Sequence, residues 1–349
     1  MTSARQRLVA GLLFAPALAI LLFACGGGSL VPSATPPPTS PLAPTSPLAP
    51  TTTPAPPTAV SGASDASPTT QLPASPTQPP PSPTPPGSLQ LDPPQIPQGG
   101  VAVVYLYEAA ASATVTFGGR QYPMLRDGNR WWAIIGVGAL ANTGLAPVSV
   151  AYTPAGGGEA RTVVQSITIT DREFPVEHVQ LSPETASLLA PEIVQAELAK
   201  RAAIFSGYTM QRMWTGPFQP PSSGMLTDHY GVGRSYNNGP VTDYHRGTDF
   251  AGEIGAPVYA AATGRVVFTG ELKVRGNTVI IDHGAGVFTA YHHLSAINVQ
   301  EGEAVTAGRQ IGAIGSTGLV TGPHLHWEVV VRGVEVDGEA WLKGVKIGP

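Results

Sequence analysis

Residues 255–267 read Gly-Ala-Pro-Val-Tyr-Ala-Ala-Ala-Thr-Gly-Arg-Val-Val, and residues 302–312 echo them as Gly-Glu-Ala-Val-Thr-Ala-Gly-Arg-Gln-Ile-Gly. Each stretch starts at a glycine, runs through a short apolar segment and reaches a second glycine. This spacing predicts two strand–turn–strand units. Short β-prone segments between glycine turns continue to the C-terminus, and no long amphipathic helical pattern follows residue 210. The sequence therefore predicts a mainly β C-terminal domain, with its functional groove over an antiparallel sheet.

The composition separates the 349-residue chain into two unlike parts. Residues 31–100 contain 23 of the 37 prolines, and their only charged residues are Asp65 and Asp92. Such a segment cannot bury an apolar core, so the folded part must follow it. The formal net charge of -4 argues against a nucleic-acid-binding protein. The single cysteine excludes a disulfide framework and a cysteine-rich zinc knuckle.

The N-terminal 25 residues have the pattern of a targeting segment. Arg5 and Arg7 precede an uncharged run over residues 8–24, which ends in Leu-Phe-Ala-Cys at 22–25. The pattern resembles a bacterial lipoprotein signal. This resemblance implies cleavage before Cys25, lipidation of that residue, and anchoring of an exported protein to the outer face of the cytoplasmic membrane. An uncleaved apolar anchor is the alternative, because the run is near the lower length limit for a membrane span.

Residues 26–87 are predicted to be a disordered, semi-rigid tether. They are rich in Pro, Ser and Thr, and the hexamer Ser-Pro-Leu-Ala-Pro-Thr occurs at 40–45 and again at 46–51. Polyproline II conformation extends about 3.1 Å per residue, so some sixty residues could reach ~190 Å. The tether would carry a folded domain away from the membrane; the alternative is a solvated stalk with no such role.

Residues 88–172 are predicted to form a small Ig-like β-sandwich, with turn residues between short β-prone runs. The runs are Val101–Tyr107, Ala113–Phe117, Arg130–Val137, Ala146–Tyr152 and Arg161–Thr170. Trp131 and Trp132 are adjacent, so on a strand they face opposite sides, one in the core and one at the surface. An exposed tryptophan could stack on a sugar, although packing is the simpler role. This domain is interpreted as a spacer or a binding module.

Residues 173–212 are predicted to be a short helical connector. Ser182 and Pro183 give a helix start, and Pro191 opens a second helix. The apolar face of the second helix is predicted to comprise Ile193, Val194, Leu198 and Phe205. We interpret the connector as a structural link between two domains.

Seven of the eight histidines lie after residue 228, within 229–326. His324 and His326 are two apart in a β-prone segment, so they would share one face of a strand. His245 and Asp249 are four apart and would likewise lie on one side of an extended segment. Two imidazoles and one carboxylate with an open fourth position form the ligand set of a catalytic zinc. The remaining imidazoles would be available for proton transfer or for stabilising an oxyanion.

Residues 224–342 resemble the lysostaphin/LytM-type zinc endopeptidases, which cut peptide cross-links of bacterial peptidoglycan. The resemblance is carried by His245-Arg-Gly-Thr-Asp249, Tyr291-His-His-Leu-Ser295 and Gly322-Pro-His-Leu-His326. It implies a metallopeptidase domain over residues 213–349, of the lysostaphin/lipoyl-like hybrid type, with a groove for peptidoglycan peptides. It also implies one Zn2+ held by His245, Asp249 and His326, with His293 and His324 as catalytic non-ligands.

The resemblance leaves several roles open. Either His293 or His324 would be the general base, and the position of His324 beside a ligand favours it. His283, in an Asp-His-Gly turn, is interpreted as structural, and His292 as a bystander that faces away from its neighbour. One alternative function is an inactive protein of the same fold that binds peptidoglycan or activates another hydrolase. Another is an envelope adhesin in which the histidines only pack. The oligomeric state is not predicted.

Overall fold

The computed structural model describes residues 89–345 and 347. Within them the chain is mainly β, with three helices and 23 strands, which confirms the predicted fold class. The predicted signal segment with Cys25 and the tether at 26–87 lie outside the described residues. Among the helices of the described part, none is both long and apolar enough to cross a membrane.

The first nine strands form two facing sheets. A four-stranded sheet has the order β1-β3-β7-β6, and a five-stranded sheet has the order β2-β9-β8-β4-β5. The bounds are β1 (Leu89–Asp92), β2 (Gln95–Pro97), β3 (Val101–Leu106), β4 (Ala110–Phe117), β5 (Arg120–Pro123), β6 (Leu125–Asp127), β7 (Arg130–Gly136), β8 (Gly144–Pro154) and β9 (Arg161–Thr170). Alternate residues of β8 point inward, so Val148 and Val150 meet Val115 of β4 in a shared apolar core.

The four-stranded sheet is buried on both faces. Along β3, Val104 packs in the sandwich core, whereas its neighbour Val103 belongs to the core of the C-terminal domain. The two tryptophans of β7 divide in the same way. Trp132 joins the C-terminal core, and Trp131 is partly buried against the sandwich core. Trp131 is therefore packed rather than displayed at the surface, and the sandwich is joined to its neighbour through a common apolar layer.

The connector contains a strand as well as two helices: β10 (Val176–Val179), α1 (Pro183–Ser187) and α2 (Pro191–Ser206). Ser182 caps α1, because its side chain accepts a hydrogen bond from the backbone N–H of Thr185 at 3.1 Å. The predicted apolar face of α2 is wrong in part. Its buried residues are Glu197, Arg201 and Phe205, whereas Ile193, Val194 and Leu198 remain partly exposed.

The C-terminal domain is built on a large antiparallel sheet, in which β11-β14-β22-β18-β17-β16-β20 follow in order and β23 pairs with β22. Two three-stranded sheets, β15-β21-β19 and β10-β12-β13, flank it. The bounds are β11 (Leu226–Asp228), β12 (Gly233–Tyr236), β13 (Val241–Tyr244), β14 (Thr248–Ala251), β15 (Pro257–Tyr259), β16 (Gly264–Leu272), β17 (Gly276–Gly284), β18 (Val287–His292), β19 (Leu294–Ile297), β20 (Ala304–Val305), β21 (Gln310–Ile314), β22 (His324–Val331), β23 (Val334–Val336) and α3 (Gly338–Leu342).

The two similar stretches of the sequence pair with each other. Residues 255–267 supply β15 and the start of β16, and residues 302–312 supply β20 and most of β21. β15 pairs with β21 and β16 pairs with β20, both antiparallel. Each strand–turn–strand unit thus gives one strand to the large sheet and one to a flanking sheet.

We expect Trp132→Ala to lower the free energy of unfolding by about 3–5 kcal/mol, because it leaves a cavity in the apolar layer shared by the two domains. Trp132 is 4% exposed. Denaturant unfolding of the full chain, followed by far-UV circular dichroism, would measure the change. Leu145→Ala is the control, since Leu145 is 77% exposed and should change stability by ~0.5 kcal/mol or less. Equal denaturation midpoints for the two variants would show that Trp132 does not pack in a shared apolar layer.

Candidate metal centre

Three side chains converge where β14 and β22 run side by side. These strands are antiparallel neighbours, and Asp249 lies directly opposite His326. His245 follows β13 and reaches the same point. Its Nε2 is 3.0 Å from Oδ1 of Asp249 and 2.9 Å from Nδ1 of His326. Nδ1 of His326 is in turn 2.8 Å from Oδ1 of Asp249. The three ligand atoms all lie within 4.8 Å of one another.

The neighbours of each ring determine which nitrogen is free. Nδ1 of His245 is 2.8 Å from the backbone carbonyl of His229, so it donates there and leaves a lone pair on Nε2. Nε2 of His326 is 3.1 Å from Oε1 of Glu328, which leaves the lone pair on Nδ1. Two nitrogen lone pairs and a carboxylate oxygen therefore face one another at close range. Unshielded lone pairs repel one another, so the arrangement needs a cation between the three atoms, either a proton or a metal ion. Burial opposes a proton on His326, but Asp249 and Glu328 raise the pKa of this ring.

The donor set fits zinc. Ligands about 2.0–2.1 Å from a tetrahedral Zn2+ lie ~3.3 Å apart, close to the spacings among these three atoms. Two imidazole nitrogens and one carboxylate oxygen, with the fourth position open, match a catalytic zinc site. Burial works against a charge on Asp249, but His245 and His326 hold the pKa of its carboxyl well below the ordinary range. Asp249 is therefore an ionised ligand at neutral pH.

Gly247 allows the ligands to approach one another. A Cβ atom at this position would lie 2.4 Å from the backbone carbonyl oxygen of Trp327 and 2.9 Å from the ring of His326. Both distances are shorter than side chains tolerate, so any larger residue would push β14 away from β22. The glycine between His245 and Asp249 in the sequence is thus required by the packing of the site.

Two further histidines flank the cluster. The ring of His293 lies 4.9 Å from that of His324 and 5.8 Å from that of His326, measured between centroids. Nδ1 of His293 contacts the carbonyl of Thr317 at 2.7 Å, and Nδ1 of His324 contacts the carbonyl of Gly322 at 2.9 Å. Both Nδ1 atoms therefore donate to the backbone, and Nε2 of each ring is left as a proton acceptor.

His293 owes its direction to its backbone. It leaves β18 in the left-handed region, with a φ of 62°, and its N–H donates to the carbonyl of Arg275 at 2.9 Å. Burial together with the nearby rings of His324 and His326 holds the pKa of His293 well below its ordinary value. The ring is therefore a neutral imidazole at neutral pH. A non-glycine residue at positive φ is costly and is typical of functional sites.

His292, His283 and His229 are not part of the ligand cluster. His292 is fully buried behind His326, whose ring it stacks on at 5.5 Å, and its Nδ1 lies 2.9 Å from the hydroxyl of Thr278. It is thus part of the support of the site and not a detached bystander. His283 is also fully buried, with Nδ1 2.9 Å from the carbonyl of Thr263 and Nε2 2.7 Å from the hydroxyl of Thr289. His229 is largely exposed.

Sequence reasoning missed four charged residues behind the cluster: Glu197, Arg201, Arg275 and Glu328. Glu328 is the only acidic residue of β22 and lies two positions after His326, so the alternation of a strand would have placed it on the ligand face. Glu197 and Arg201 carried no such signal, because an acid and a base four apart on a helix usually face solvent. Burial would raise the pKa of Glu328, but Arg201 and Arg275 hold it well below the ordinary range.

A groove with a volume of about 760 Å³ leads to the cluster. His245, Asp249, His293, His324 and His326 all line it. Partly exposed apolar residues of the connector also line it, namely Leu181, Leu189, Val194 and Leu198. The volume falls in the range of sites that bind small molecules or short peptide segments. The groove is therefore formed by the connector together with the C-terminal sheet.

The fold and the cluster define a mainly β domain of the metallopeptidase class, with a His/Asp/His site at the bottom of a groove. Residues 243–338 match the sequence model of peptidase family M23, so this part of the chain is a peptidase family M23 domain. The matched range includes His245, Asp249, His293, His324 and His326.

The proteins similar to this chain include a peptidoglycan DD-endopeptidase and a murein hydrolase activator. Peptidoglycan DD-endopeptidase ShyA of Vibrio cholerae is 52% identical over 93 residues, which are 27% of this chain and 22% of ShyA. Murein hydrolase activator NlpD of Salmonella dublin is 30% identical over 159 residues, 45% of this chain and 38% of NlpD. The chain thus matches well under half the length of each relative.

A solved structure extends the likeness beyond the peptidase domain. The crystal structure of a Pseudomonas aeruginosa protein described as a peptidase M23 superposes with a TM-score of 0.54 and 28% sequence identity. It covers 71% of this chain and 95% of that protein. This coverage is far larger than residues 243–338 alone, so parts of the fold outside the peptidase domain are shared as well.

We expect the stability of the protein to fall as the pH decreases from about 6.5 towards 4, in part through His283. Burial lowers the pKa of His283 to about 4, so the folded protein leaves this ring neutral where the unfolded chain protonates it. One such group changes the free energy of unfolding by up to ~1.4 kcal/mol per pH unit. Denaturant unfolding at several pH values should give a shallower slope for His283→Gln than for the wild type. Parallel curves for the two proteins would contradict this role.

Proposed function

We propose that this protein is a zinc-dependent endopeptidase that hydrolyses peptide cross-links of bacterial peptidoglycan. The observation that carries the proposal is the convergence of three lone-pair donors, with two proton-accepting histidines beside them, in one groove of a peptidase M23 domain. The similarity to a peptidoglycan DD-endopeptidase supports the class of substrate. The geometry supports the class of reaction, because amide hydrolysis needs an activated water, a proton acceptor and a polarised carbonyl.

The ligands in this proposal are His245, Asp249 and His326. A zinc ion bound by them would supply Lewis acidity towards the scissile carbonyl and lower the pKa of water. The surrounding groups prepare the site for that ion. The backbone carbonyl of His229, for example, accepts from Nδ1 of His245 and leaves Nε2 of that ring free for ligation.

The proton transfers in this proposal are carried out by His324 and His293. Each donates through Nδ1 to a backbone carbonyl, so each can accept a proton only at Nε2. His324 is the better placed acceptor for the attacking water, because its Nε2 lies 3.6 Å from Oδ2 of the ligand Asp249 and its side chain is more exposed to the groove than that of His293. The protonated ring can then pass the proton to the leaving amine.

The substrate peptide would lie along the groove, between the ligand sheet and the connector. Its aliphatic groups would contact the apolar residues of the connector, such as Leu181 and Leu198, while its scissile amide lies over the cluster. The connector is then a wall of the substrate site as well as a link between domains. In this proposal the sandwich comprises residues 88–172 and the connector residues 173–212, as predicted from the sequence.

A hydrolase activator of the same fold is the second candidate. The similarity to murein hydrolase activator NlpD favours it. Against it stands the donor set, since the three ligand positions and both flanking histidines are filled by residues able to do the chemistry. Release of new amino groups from purified peptidoglycan by the protein alone distinguishes the two functions, because an activator releases none without a partner enzyme.

We also propose that the protein acts in the cell envelope, anchored through a lipid on Cys25. The similarity to a peptidoglycan DD-endopeptidase and a murein hydrolase activator supports the location, and the Leu-Phe-Ala-Cys pattern at 22–25 supports the anchor. An insoluble substrate some distance from the membrane suits a catalytic domain on a long tether. The proline-rich residues 26–87 would provide that reach.

The first test of this proposal separates metal binding from proton transfer. Ala variants of His245, Asp249 and His326 should lose both bound zinc and turnover, since three protein ligands leave none to spare. Ala variants of His293 and His324 should keep near-stoichiometric zinc, while turnover falls by ~100-fold or more. Zinc analysis of the purified proteins, together with mass analysis of digested muropeptides, measures both quantities.

His229→Ala is the matched control, because its side chain is 61% exposed and only its backbone carbonyl contacts His245. It should keep zinc and activity. Loss of zinc from the His293 variant, or full activity of the His324 variant, would show that the roles are assigned wrongly. Absence of zinc from the wild type would reject the proposed function as a whole.

The second test addresses the anchor. Cys25→Ala should leave the activity of the catalytic domain unchanged, and it should release the protein from the membrane or block its maturation, since the chain has no other cysteine to lipidate. Membrane fractionation of cells that express each form gives the answer. Unchanged fractionation with normal processing would favour an apolar anchor over a lipid.

A further inference from the structure

Behind the metal cluster lies a buried network of charges that no hydrolytic step uses. Glu328 is 0% exposed and lies between Arg201 of α2 and Arg275 of the turn between β16 and β17. The guanidinium of Arg275 donates through Nε to Oε1 of Glu328 at 2.9 Å, and Arg201 forms an ion pair with the other carboxylate oxygen. A carboxylate removed from water to this extent is stable only with such partners.

The same carboxylate also contacts a ligand of the proposed metal site. Oε1 of Glu328 lies 3.1 Å from Nε2 of His326, the ring nitrogen on the side away from Asp249. We infer that Glu328 is a positioning residue that fixes the tautomer and orientation of His326, and that Arg201 and Arg275 hold Glu328 in place for this purpose. The inference rests on the proposed function, because it concerns the affinity of the site for zinc.

The geometry explains why a carboxylate is needed at this position. An isolated imidazole can carry its proton on either nitrogen and can rotate about its χ2 bond. An acceptor behind Nε2 stabilises the form in which Nδ1 has its lone pair towards His245 and Asp249. Acceptors behind ligating histidines orient the ring and raise its basicity, and their loss typically costs 10–100-fold in metal affinity.

The network connects the site to the connector helix. Arg275 also pairs with Glu197 of α2 at 3.2 Å, and the second oxygen of Glu197 accepts the backbone N–H of Val274 at 2.7 Å. α2 thus reaches the cluster by two routes, Arg201 to Glu328 and Glu197 to Arg275. The buried polar face of this helix is therefore explained by its support of the metal ligand.

The test compares two carboxylates that share the same arginine. One carboxylate oxygen of Glu335 lies 3.3 Å from Arg201, and the other lies 3.6 Å from Arg246. Glu328→Gln should weaken zinc binding by ~10–100-fold, whereas Glu335→Gln, which also removes a negative charge next to Arg201, should leave the zinc affinity near that of the wild type. Titration of the full chain against a chromophoric chelator measures the zinc dissociation constant without any substrate.

A second variant covers the outcome in which Glu328→Gln does not fold. Glu328→Asp keeps the negative charge between the two arginines but is one methylene shorter, so it should fold and still lose the contact with His326. Its zinc affinity should fall. Long-range ¹H–¹⁵N spectra of the zinc-free protein, recorded at a pH at which the ring of His326 is neutral, should no longer show the Nε2–H form as the single tautomer. Circular dichroism of each variant verifies the fold.

The inference fails if either Glu328 variant binds zinc as tightly as the wild type, or if Glu335→Gln weakens binding as much as Glu328→Gln. These outcomes differ from a failure of the proposed function. If the proposed function is wrong, either the wild type does not bind zinc or the His326→Ala variant binds zinc as tightly as the wild type. Neither result depends on Glu328.

Discussion

The antiparallel register between β14 and β22 is the constraint on which the site depends. It places Asp249 opposite His326, with Phe250 opposite Leu325 and Thr248 opposite Trp327. Side chains alternate along both strands, so Phe250, Leu325 and Trp327 fill the core on one face while the polar residues meet on the other. A slip of one residue would turn Asp249 into the core and bring Phe250 out. The apolar face therefore enforces the geometry of the polar face.

The polar face could not exist without charges contributed from outside the sheet. Glu328, His326 and His324 follow one another at alternate positions of β22, and the first of these is completely buried. Removing one partner of a buried ion pair typically costs about 3–5 kcal/mol, because the other charge is left uncompensated. Arg201 reaches Glu328 from α2, a helix that also packs on the sheet through apolar contacts of Phe205 with Phe268 and Phe288. The connector is thus part of the energetic foundation of the catalytic domain.

Much of this could be predicted from local patterns. The spacing of His324 and His326, the two similar glycine-bounded stretches and the cap at Ser182 each follow from the period of a strand or the needs of a helix end. The burial of both faces of β3 could also have been inferred, since Val101–Leu106 is apolar without interruption, a pattern typical of strands covered on both sides.

What could not be predicted depends on contacts between residues far apart in the sequence. An acid and a base four apart on α2 predict an exposed salt bridge. Only the fold shows that Glu197 and Arg201 instead face Arg275 and Glu328, more than seventy residues away. Pairing of β10 with β12 likewise depends on a parallel contact between residues 176–179 and 233–236, which no local pattern indicates.

Adjacent histidines at 292 and 293 show how one unusual backbone conformation serves two layers of the site. His292 ends β18 and packs behind His326, while His293 adopts a φ of 62° and its ring lies beside those of His324 and His326. A strained residue of this kind costs on the order of 1–3 kcal/mol and persists only when its surroundings determine it. Here the backbone N–H of His293 is bound to the carbonyl of Arg275 and its Nδ1 to the carbonyl of Thr317. Arg275 thus supports the site twice, through the bond of its guanidinium to Glu328 and through the bond of its backbone carbonyl to His293. One residue therefore contributes to both the ligand side and the proton-transfer side of the cluster.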